Sequence, residues 1–133
     1  MNNRLWNIKN PYQGPQKRVL CVCSAGLLRS PTAAWVLSNP PFDFNTRAAG
    51  IDTDHALIPV DDALIMWADE IVCMTTEHSE ELLARFKTYE RPVLVLGVPD
   101  CYARRDPKLV EMIAQRYPEE LELHRKQKAA EDA

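Results

Sequence analysis

Short apolar runs alternate along this chain with longer segments that have the spacing and composition of helices. Apolar runs predict strands at about residues 18–22, 70–74 and 92–96, and the alternation of elements predicts a further strand at about residues 43–48. The segments between and after them predict helices at about residues 30–38, 60–68, 77–87 and from 106 onward. Residues 93–96 are apolar throughout, which is typical of a strand covered on both faces. The alternation predicts an α/β fold, a three-layer sandwich in which a four-stranded parallel sheet lies between helices on both faces.

The first 17 residues differ in character from the rest of the chain. They are mostly polar and contain Pro11, Gly14 and Pro15, which are residues that interrupt regular structure. We therefore expect an N-terminal extension over residues 1–17 and a single domain over residues 18–133. A chain of 133 residues fits one domain, and the 46% of hydrophobic residues are sufficient for a buried core.

The most informative chemistry lies directly after the first predicted strand. Cys23 and Arg29 are six positions apart there, and a helix is predicted to start at Ser30 with Pro31 in its first turn. A strand, a tight loop and a helix start direct several backbone N–H groups at one place, which suits an anion. Arg29 can hold two phosphate oxygens with its planar guanidinium group. The sequence thus predicts a phosphate-binding loop after the first strand, and its substrate-binding residues are Ser24, Ala25, Gly26, Leu27 and Leu28.

Cys23 is the predicted nucleophile of this loop. A helix N-terminus and a neighbouring guanidinium group both stabilise a thiolate, which is the form of cysteine that attacks. The hydroxyl group of Ser30 is expected to donate a hydrogen bond to the sulfur and to improve it as a leaving group. The alternative interpretation is a small buried core cysteine and a surface arginine, since a Cys-x5-Arg pattern often arises by chance. The strand before the pattern, the glycine within it and the Ser-Pro helix start after it favour the functional interpretation.

At these residues the chain resembles the low-molecular-weight protein tyrosine phosphatases, whose loop reads Cys-x5-Arg-Ser and is often followed by proline. The resemblance continues in the same order through residues 47–50, 67–74 and 98–102, and residues 106–110 are similar to a compact bacterial branch of the family. It covers about residues 18–118, and the loop is its only highly specific motif. The resemblance implies a cysteine-dependent phosphatase that hydrolyses phosphate monoesters, phosphotyrosine above all, through a phosphocysteine intermediate.

Four positions depart from the pattern of that family. Ala25 stands where glycine is usual, Gly26 where asparagine is usual, Leu28 where many members have a second cysteine, and Ala48 where serine is common. Gly26 can adopt the left-handed backbone conformation that the asparagine supplies, so we expect the shape of the loop to be kept. Side-chain hydrogen bonds that brace the loop are lost. We therefore expect a site that binds phosphate in a less rigid loop.

Asp100 is the predicted general acid. Because Cys23 and Asp100 each follow a predicted strand, both are expected at the edge of the sheet where the carboxyl ends of its strands lie. A carboxylic acid above the pocket can protonate the leaving oxygen and afterwards activate water. A turn aspartate is the alternative interpretation of Asp100, whereas Asp106 is better explained as the N-cap of the last helix. Tyr102 and Leu27 are expected to form opposite walls for an aromatic ring.

Two other functions fit parts of the pattern. A thiol-dependent arsenate reductase has a similar fold and loop but needs partner cysteines, for which Cys73 and Cys101 are candidates, although neither has the paired spacing of that family. The other is a non-catalytic phosphate-binding or phosphocysteine-carrier module. Arg29 and Asp100 count against it, because a carrier needs no acid for a leaving group. The same cysteines suggest that mild oxidation joins Cys23 to Cys101, with Cys73 as the less favoured partner.

Composition and spacing narrow the range of partners. A net charge of -3 argues against nucleic acid as the main partner, and no apolar run has the length of a membrane span or the position of a signal peptide. Four scattered cysteines are too few for a disulfide framework and favour a reducing cytoplasm. The histidines His55, His78 and His124 lack metal-ligand spacing, so neither a metal nor another cofactor is expected. The expected partners are a phosphotyrosine protein or a small aryl phosphate, with inorganic phosphate or sulfate in the loop.

Overall fold

The computed structural model describes residues 16–24, 29–52, 54, 56, 58–99 and 106–132, with Arg29 and Asp132 described by their backbone alone. The strands in this part of the chain are β1 (Arg18–Cys23), β2 (Asn45–Gly50), β3 (Glu70–Cys73) and β4 (Val93–Val95), and the helices are α1 (Arg29–Ser38), α2 (Asp62–Trp67), α3 (Thr76–Arg85) and α4 (Pro107–Asp132). Each predicted element is present, with bounds within two residues of those expected. Among the described residues, no helix is both long enough and apolar enough to cross a membrane.

The four strands form one parallel sheet in the order β2-β1-β3-β4. β1 is an inner strand that pairs with β2 along its whole length, and Cys23 lies opposite Gly50 at the end of that pairing. On the other side of β1, Val22 lies opposite Cys73 of β3. Parallel neighbours require a crossover connection, which the helices provide. The expected α/β fold with a four-stranded parallel sheet is confirmed.

Helices cover both faces of the sheet, and the alternation of side chains along β1 divides its residues between two cores. One core, which we call the α1/α4 face, contains Val19, Cys21 and Cys23 together with residues of α1 and α4. The other, the α2/α3 face, contains Leu20 and Val22 together with residues of α2 and α3. The three-layer architecture predicted from the sequence is therefore confirmed.

Side chains cap helices α2 and α4 at their starts. Asp61 Oδ1 accepts a hydrogen bond from the N–H of Leu64 at 3.0 Å. Asp106 Oδ1 accepts one from the N–H of Lys108 at 2.9 Å. Pro107 occupies the first position of α4, where a helix does not use the N–H that proline lacks. The interpretation of Asp106 as a helix cap is therefore confirmed.

A buried cluster of polar side chains ties α4 to the amino end of the sheet. Glu70, the first residue of β3, is 2% exposed, and its Oε2 accepts a hydrogen bond from the hydroxyl group of Tyr117 at 2.6 Å. Lys17 Nζ lies 3.1 Å from the same oxygen and donates to the Tyr117 hydroxyl at 2.7 Å. Burial, together with the Glu70 carboxylate, raises the pKa of Tyr117, so its hydroxyl group stays a donor. These partners matter because an unpaired charge in a protein interior is costly.

We predict that Tyr117→Phe lowers the free energy of unfolding by about 1.5–3 kcal/mol, because the buried carboxylate of Glu70 loses a donor. Tyr89→Phe is the matched control. The Tyr89 hydroxyl donates to a neutral acceptor, the carbonyl oxygen of Ala68, at 3.1 Å, and its loss should cost about 0.5–1.5 kcal/mol. Chemical denaturation of both variants measures the difference. Equal losses would show that the charge of Glu70 does not add to the stability of this cluster.

Candidate active site

The pairing of β1 with β2 holds the backbone of Cys23, and β3 holds the residue before it. Cys23 is the last residue of β1 and is 3% exposed. The pairing continues beyond the end of β2, since the N–H of Ile51 donates to the carbonyl oxygen of Cys23 at 2.9 Å and the N–H of Asp52 donates to that of Ser24 at 2.8 Å. On the other side, β3 pairs with β1 up to the residue before Cys23. The sulfur is therefore carried at the carboxyl edge of the sheet by a backbone with little freedom to move.

Helix α1 brings the hydroxyl group of Ser30 to the sulfur of Cys23. The helix begins at Arg29, so Ser30 and Pro31 lie in its first turn, where N–H groups have no partner within the helix. Ser30 is fully buried, and its Oγ lies 3.1 Å from Cys23 Sγ and 3.4 Å from the carbonyl oxygen of Ala49. Because a thiolate can only accept, the hydroxyl group donates when the sulfur is in that form. The contact expected between Ser30 and Cys23 is present.

The N-terminal turn of α1 lies beside the same sulfur, as the contact with Ser30 requires. The N–H groups of a first helical turn carry the partial positive charge of the helix dipole, which favours an anion nearby. The arrangement can stabilise a thiolate and attract a phosphate group. The rest of the predicted loop lies outside the described residues: Ala25, Gly26, Leu27, Leu28 and the side chain of Arg29. Their contacts with phosphate stay predictions.

The segment that leads to the predicted acid is described up to residue 99. The N–H of Val98 donates to the carbonyl oxygen of Met74, just beyond the end of β3, at 2.8 Å, and Val98 packs in the same core as Cys23. The chain therefore reaches the carboxyl edge of the sheet, near the end of β1, immediately before the predicted acid. The acid, the predicted aromatic wall and one cysteine lie outside the described residues: Asp100, Tyr102 and Cys101.

Helix α4 holds the same segment from its other side. Arg116 of α4 donates to the carbonyl oxygen of Leu96 at 3.1 Å and also to that of Gly97. Gly97 has a φ of 66°, in the left-handed region that favours glycine. The left-handed conformation of Gly97 and the hydrogen bonds from Arg116 together set the direction of the chain before the predicted acid.

His78 also lies at this edge of the sheet, although sequence reasoning assigned it no role. It is buried in the first turn of α3, and its Nε2 lies 2.9 Å from Oγ of Ser24, the residue after Cys23. The signal in the sequence is its position soon after a predicted strand, where α3 begins at the carboxyl edge. That position predicts a contact with Ser24 only when β3 is known to lie beside β1.

A polar cavity of about 460 Å³ lies between Ser24 and α3. Its acidic lining residues are Asp52, Asp54, Glu77 and Glu81. Arg85 also lines it and pairs with Glu81 at 2.9 Å. Across the described part of the chain, no three His, Cys, Asp or Glu side chains are grouped so as to hold a metal ion.

Cys73 is not placed to form a disulfide with Cys23. Cys73 lies in the core of the α2/α3 face and Cys23 in that of the α1/α4 face, so the sheet separates their sulfur atoms. Burial raises the pKa of Cys73 to about 12, which keeps it a thiol. Burial also raises the pKa of Cys21, two residues before Cys23. The expectation that Cys73 is the second-choice disulfide partner is therefore wrong, whereas Cys101 lies outside the described residues.

No protein-family model and no curated protein matches this chain, but solved structures do. A low-molecular-weight protein tyrosine phosphatase from Bacillus subtilis has 21% identity and a TM-score of 0.58, over 81% of this chain and 99% of that one. The YwlE arginine phosphatase from Geobacillus stearothermophilus has 20% identity and a TM-score of 0.57, over 85% and 97%. Wzb from Vibrio vulnificus, in complex with benzylphosphonate, has 19% identity and a TM-score of 0.57, over 84% and 99%.

These proteins share an α/β fold with a parallel sheet, and the present chain has the same fold over most of its length. It is the fold of the low-molecular-weight protein tyrosine phosphatases. The resemblance seen in the sequence is thus confirmed at the level of the fold. Within it, Cys23 ends the first strand and Ser30 lies in the first turn of the helix that follows.

We predict that Ser30→Ala slows the alkylation of Cys23 by iodoacetamide at neutral pH by several-fold, up to about tenfold, because the thiolate loses a hydrogen bond. Peptide sequencing by mass spectrometry follows the label and distinguishes Cys23 from Cys21. Ser38→Ala is the control, since the Ser38 hydroxyl donates to the carbonyl oxygen of Trp35 at the other end of α1. An unchanged rate in Ser30→Ala would contradict the role of Ser30 as a donor to the sulfur.

Proposed function

We propose that this protein is a cysteine-dependent phosphatase, which hydrolyses phosphate monoesters, with phosphotyrosine as the substrate class, through a phosphocysteine intermediate. The observation that carries the proposal is the contact of 3.1 Å between Cys23 Sγ and Ser30 Oγ at the start of α1. A nucleophile, a hydroxyl donor and a helix N-terminus meet at the carboxyl edge of a parallel sheet, which is where α/β folds of this kind bind their ligands.

In the proposed reaction, the phosphate group lies in the loop, held by backbone N–H groups and by the guanidinium group of Arg29. The sulfur of Cys23 attacks phosphorus, and the bond from phosphorus to the leaving oxygen breaks as Asp100 gives that oxygen a proton. Water then attacks phosphorus and gives a proton to Asp100, and the bond from phosphorus to sulfur breaks. Ser30 stabilises the departing thiolate. Donors fixed around the phosphoryl group supply most of the rate acceleration.

Proteins of the same fold bind ligands of the expected kind. Wzb from Escherichia coli K30 has been solved in complex with phosphate, and Wzb from Vibrio vulnificus with benzylphosphonate. A YwlE variant carries a phosphoryl group on an active-site serine. These complexes support an inorganic phosphate or sulfate in the loop of this chain and phosphoryl transfer to Cys23.

The fold does not decide the substrate, because it also occurs in arginine phosphatases such as YwlE. The choice of phosphotyrosine therefore rests on residues around the loop. Leu27 and Tyr102 are the predicted walls for an aromatic ring. The arsenate reductase alternative loses one candidate relay cysteine, because Cys73 lies in the other core. The carrier alternative gives Asp100 no role, because a carrier needs no acid for a leaving group.

We further propose that the catalytic domain spans residues 18–133, that residues 1–17 are an extension, and that the domain acts in a reducing cytoplasm. Its partners are a phosphotyrosine protein or a small aryl phosphate, with no metal or cofactor, rather than nucleic acid or a membrane. The start of β1 at Arg18 supports the domain boundary. The net charge of -3 supports the exclusion of nucleic acid.

We predict that the wild-type protein releases p-nitrophenol from p-nitrophenyl phosphate and that Cys23→Ser abolishes the release, because a serine hydroxyl is not ionised at neutral pH. EDTA should leave the wild-type rate unchanged. Cys73→Ala is the matched control, since that cysteine lies in the other core and should be dispensable. Activity that survives Cys23→Ser, or that EDTA removes, would refute the proposal.

We predict that Asp100→Asn lowers turnover of phosphotyrosine by roughly 10²–10⁴-fold, because the tyrosine oxygen needs a proton as it leaves. Turnover of p-nitrophenyl phosphate, whose leaving group is more acidic, should fall much less. Asp106→Asn is the control, since the Asp106 carboxylate accepts a backbone hydrogen bond at the start of α4. If Asp106→Asn shows the substrate-dependent loss instead, the assignment of the acid is wrong.

A further inference from the structure

Ser24 is the residue at which the backbone leaves β1 and enters the loop, and two hydrogen bonds hold it. Its carbonyl oxygen accepts from the N–H of Asp52 at 2.8 Å. Its hydroxyl group lies 2.9 Å from Nε2 of His78. Ser24 is exposed, whereas His78 is buried. The imidazole is therefore the better anchored member of the pair.

The position of His78 is set by a short connection to the sheet. α3 begins at Thr76, three residues after the end of β3, and Thr75 caps it by accepting the N–H of His78 at 3.4 Å. β3 pairs directly with β1, the strand that carries Cys23. The imidazole and the entry of the loop are thus linked through two adjacent strands.

The loop needs anchors outside itself. Residues 25–28 are alanine, glycine and two leucines, so no polar side chain within them can brace the loop by a hydrogen bond. Serines flank the segment. Ser30 contacts the sulfur of Cys23, in the core of the α1/α4 face. Ser24, the next residue along the chain from Cys23, contacts His78 of α3. The two flanking serines therefore make these contacts with elements on opposite faces of the sheet.

We propose that His78 is a positioning residue of the phosphate-binding loop. It holds Ser24, so that the chain leaves β1 in one direction and enters the loop whose N–H groups are the predicted phosphate donors. This inference rests on the proposed function, because it assigns those N–H groups to a phosphate ligand. The contact does not depend on one tautomer, since a hydroxyl group accepts from an imidazole N–H and donates to an unprotonated ring nitrogen.

A double-mutant cycle tests whether His78 acts through Ser24. In the wild-type background, His78→Ala should lower kcat/KM for p-nitrophenyl phosphate by about tenfold, the effect of losing one well-formed hydrogen bond. In the Ser24→Ala background, the same change should cost less than about twofold, because the contact is already gone. Equal losses in the two backgrounds would overturn the proposal.

A conservative variant separates positioning from simple loss of stability. In His78→Gln, the side-chain amide reaches about as far as Nε2 and can both donate to and accept from the Ser24 hydroxyl. We expect His78→Gln to retain kcat/KM within about threefold of wild type. His124→Gln, in the last helix, is the matched control and should have no effect. A loss in His78→Gln as large as in His78→Ala, at an unchanged unfolding temperature, would also overturn the proposal.

The affinity for inorganic phosphate, measured by calorimetry on the same variants, distinguishes failure of this inference from failure of the proposed function. If phosphate binding shows the coupling between His78 and Ser24 but hydrolysis is absent or survives Cys23→Ser, the positioning role stands and the catalytic proposal fails. If hydrolysis depends on Cys23 but the two changes are additive, only the positioning role fails. If His78→Ala does not fold, kcat/KM and phosphate affinity are compared in His78→Gln and Ser24→Ala instead. A wild type that neither binds phosphate nor hydrolyses the ester overturns both.

Discussion

The burial of β1 is the constraint on which the other features of this structure depend. Residues 19–22 are fully buried, because helices cover both faces of the strand and other strands pair with both of its edges. Every backbone polar group of such a strand must be paired, so its position is strongly determined. Cys23 is the last residue of this strand, so the position of its backbone is determined in the same way. A reactive group at the end of such a strand has little freedom to move.

The two ends of the sheet have different chemistry. At the amino end, hydrogen bonds and an ion pair join Lys17, Glu70 and Tyr117. The charge of Glu70 therefore contributes to the stability of the fold. At the carboxyl end, Cys23 and Ser30 meet where a helix N-terminus adds positive potential, which suits an external anion. The separation keeps the buried carboxylate of Glu70 away from the site that we propose to bind phosphate.

Most of the fold could be predicted because the evidence for it is local. Apolar runs and helix caps depend on residues that are close together in the sequence. The contact between Cys23 and Ser30 likewise joins residues of one strand, the loop after it and the start of the next helix. The contact of His78 with Ser24 could not be predicted in the same way, because it depends on β3 lying beside β1. The side of the sheet on which Cys73 lies depends on strand alternation and register, which place it opposite Val22 rather than Cys23. The contact of His78 was missed and the expectation for Cys73 was wrong because the geometry of the sheet, rather than proximity in the sequence, decides both.

Catalysis by electrostatic stabilisation requires donors that are in place before the reaction begins. In this chain residues 25–28 carry no polar side chain, so the donors they can offer are backbone N–H groups whose directions follow from the path of the chain. That path starts at Ser24, which Asp52 and His78 contact, and ends at Arg29, where α1 begins. We propose that the sheet and the helices on both of its faces supply the order that the loop needs. A loop of this composition can be as well organised as one rich in polar side chains, provided that its two ends are held.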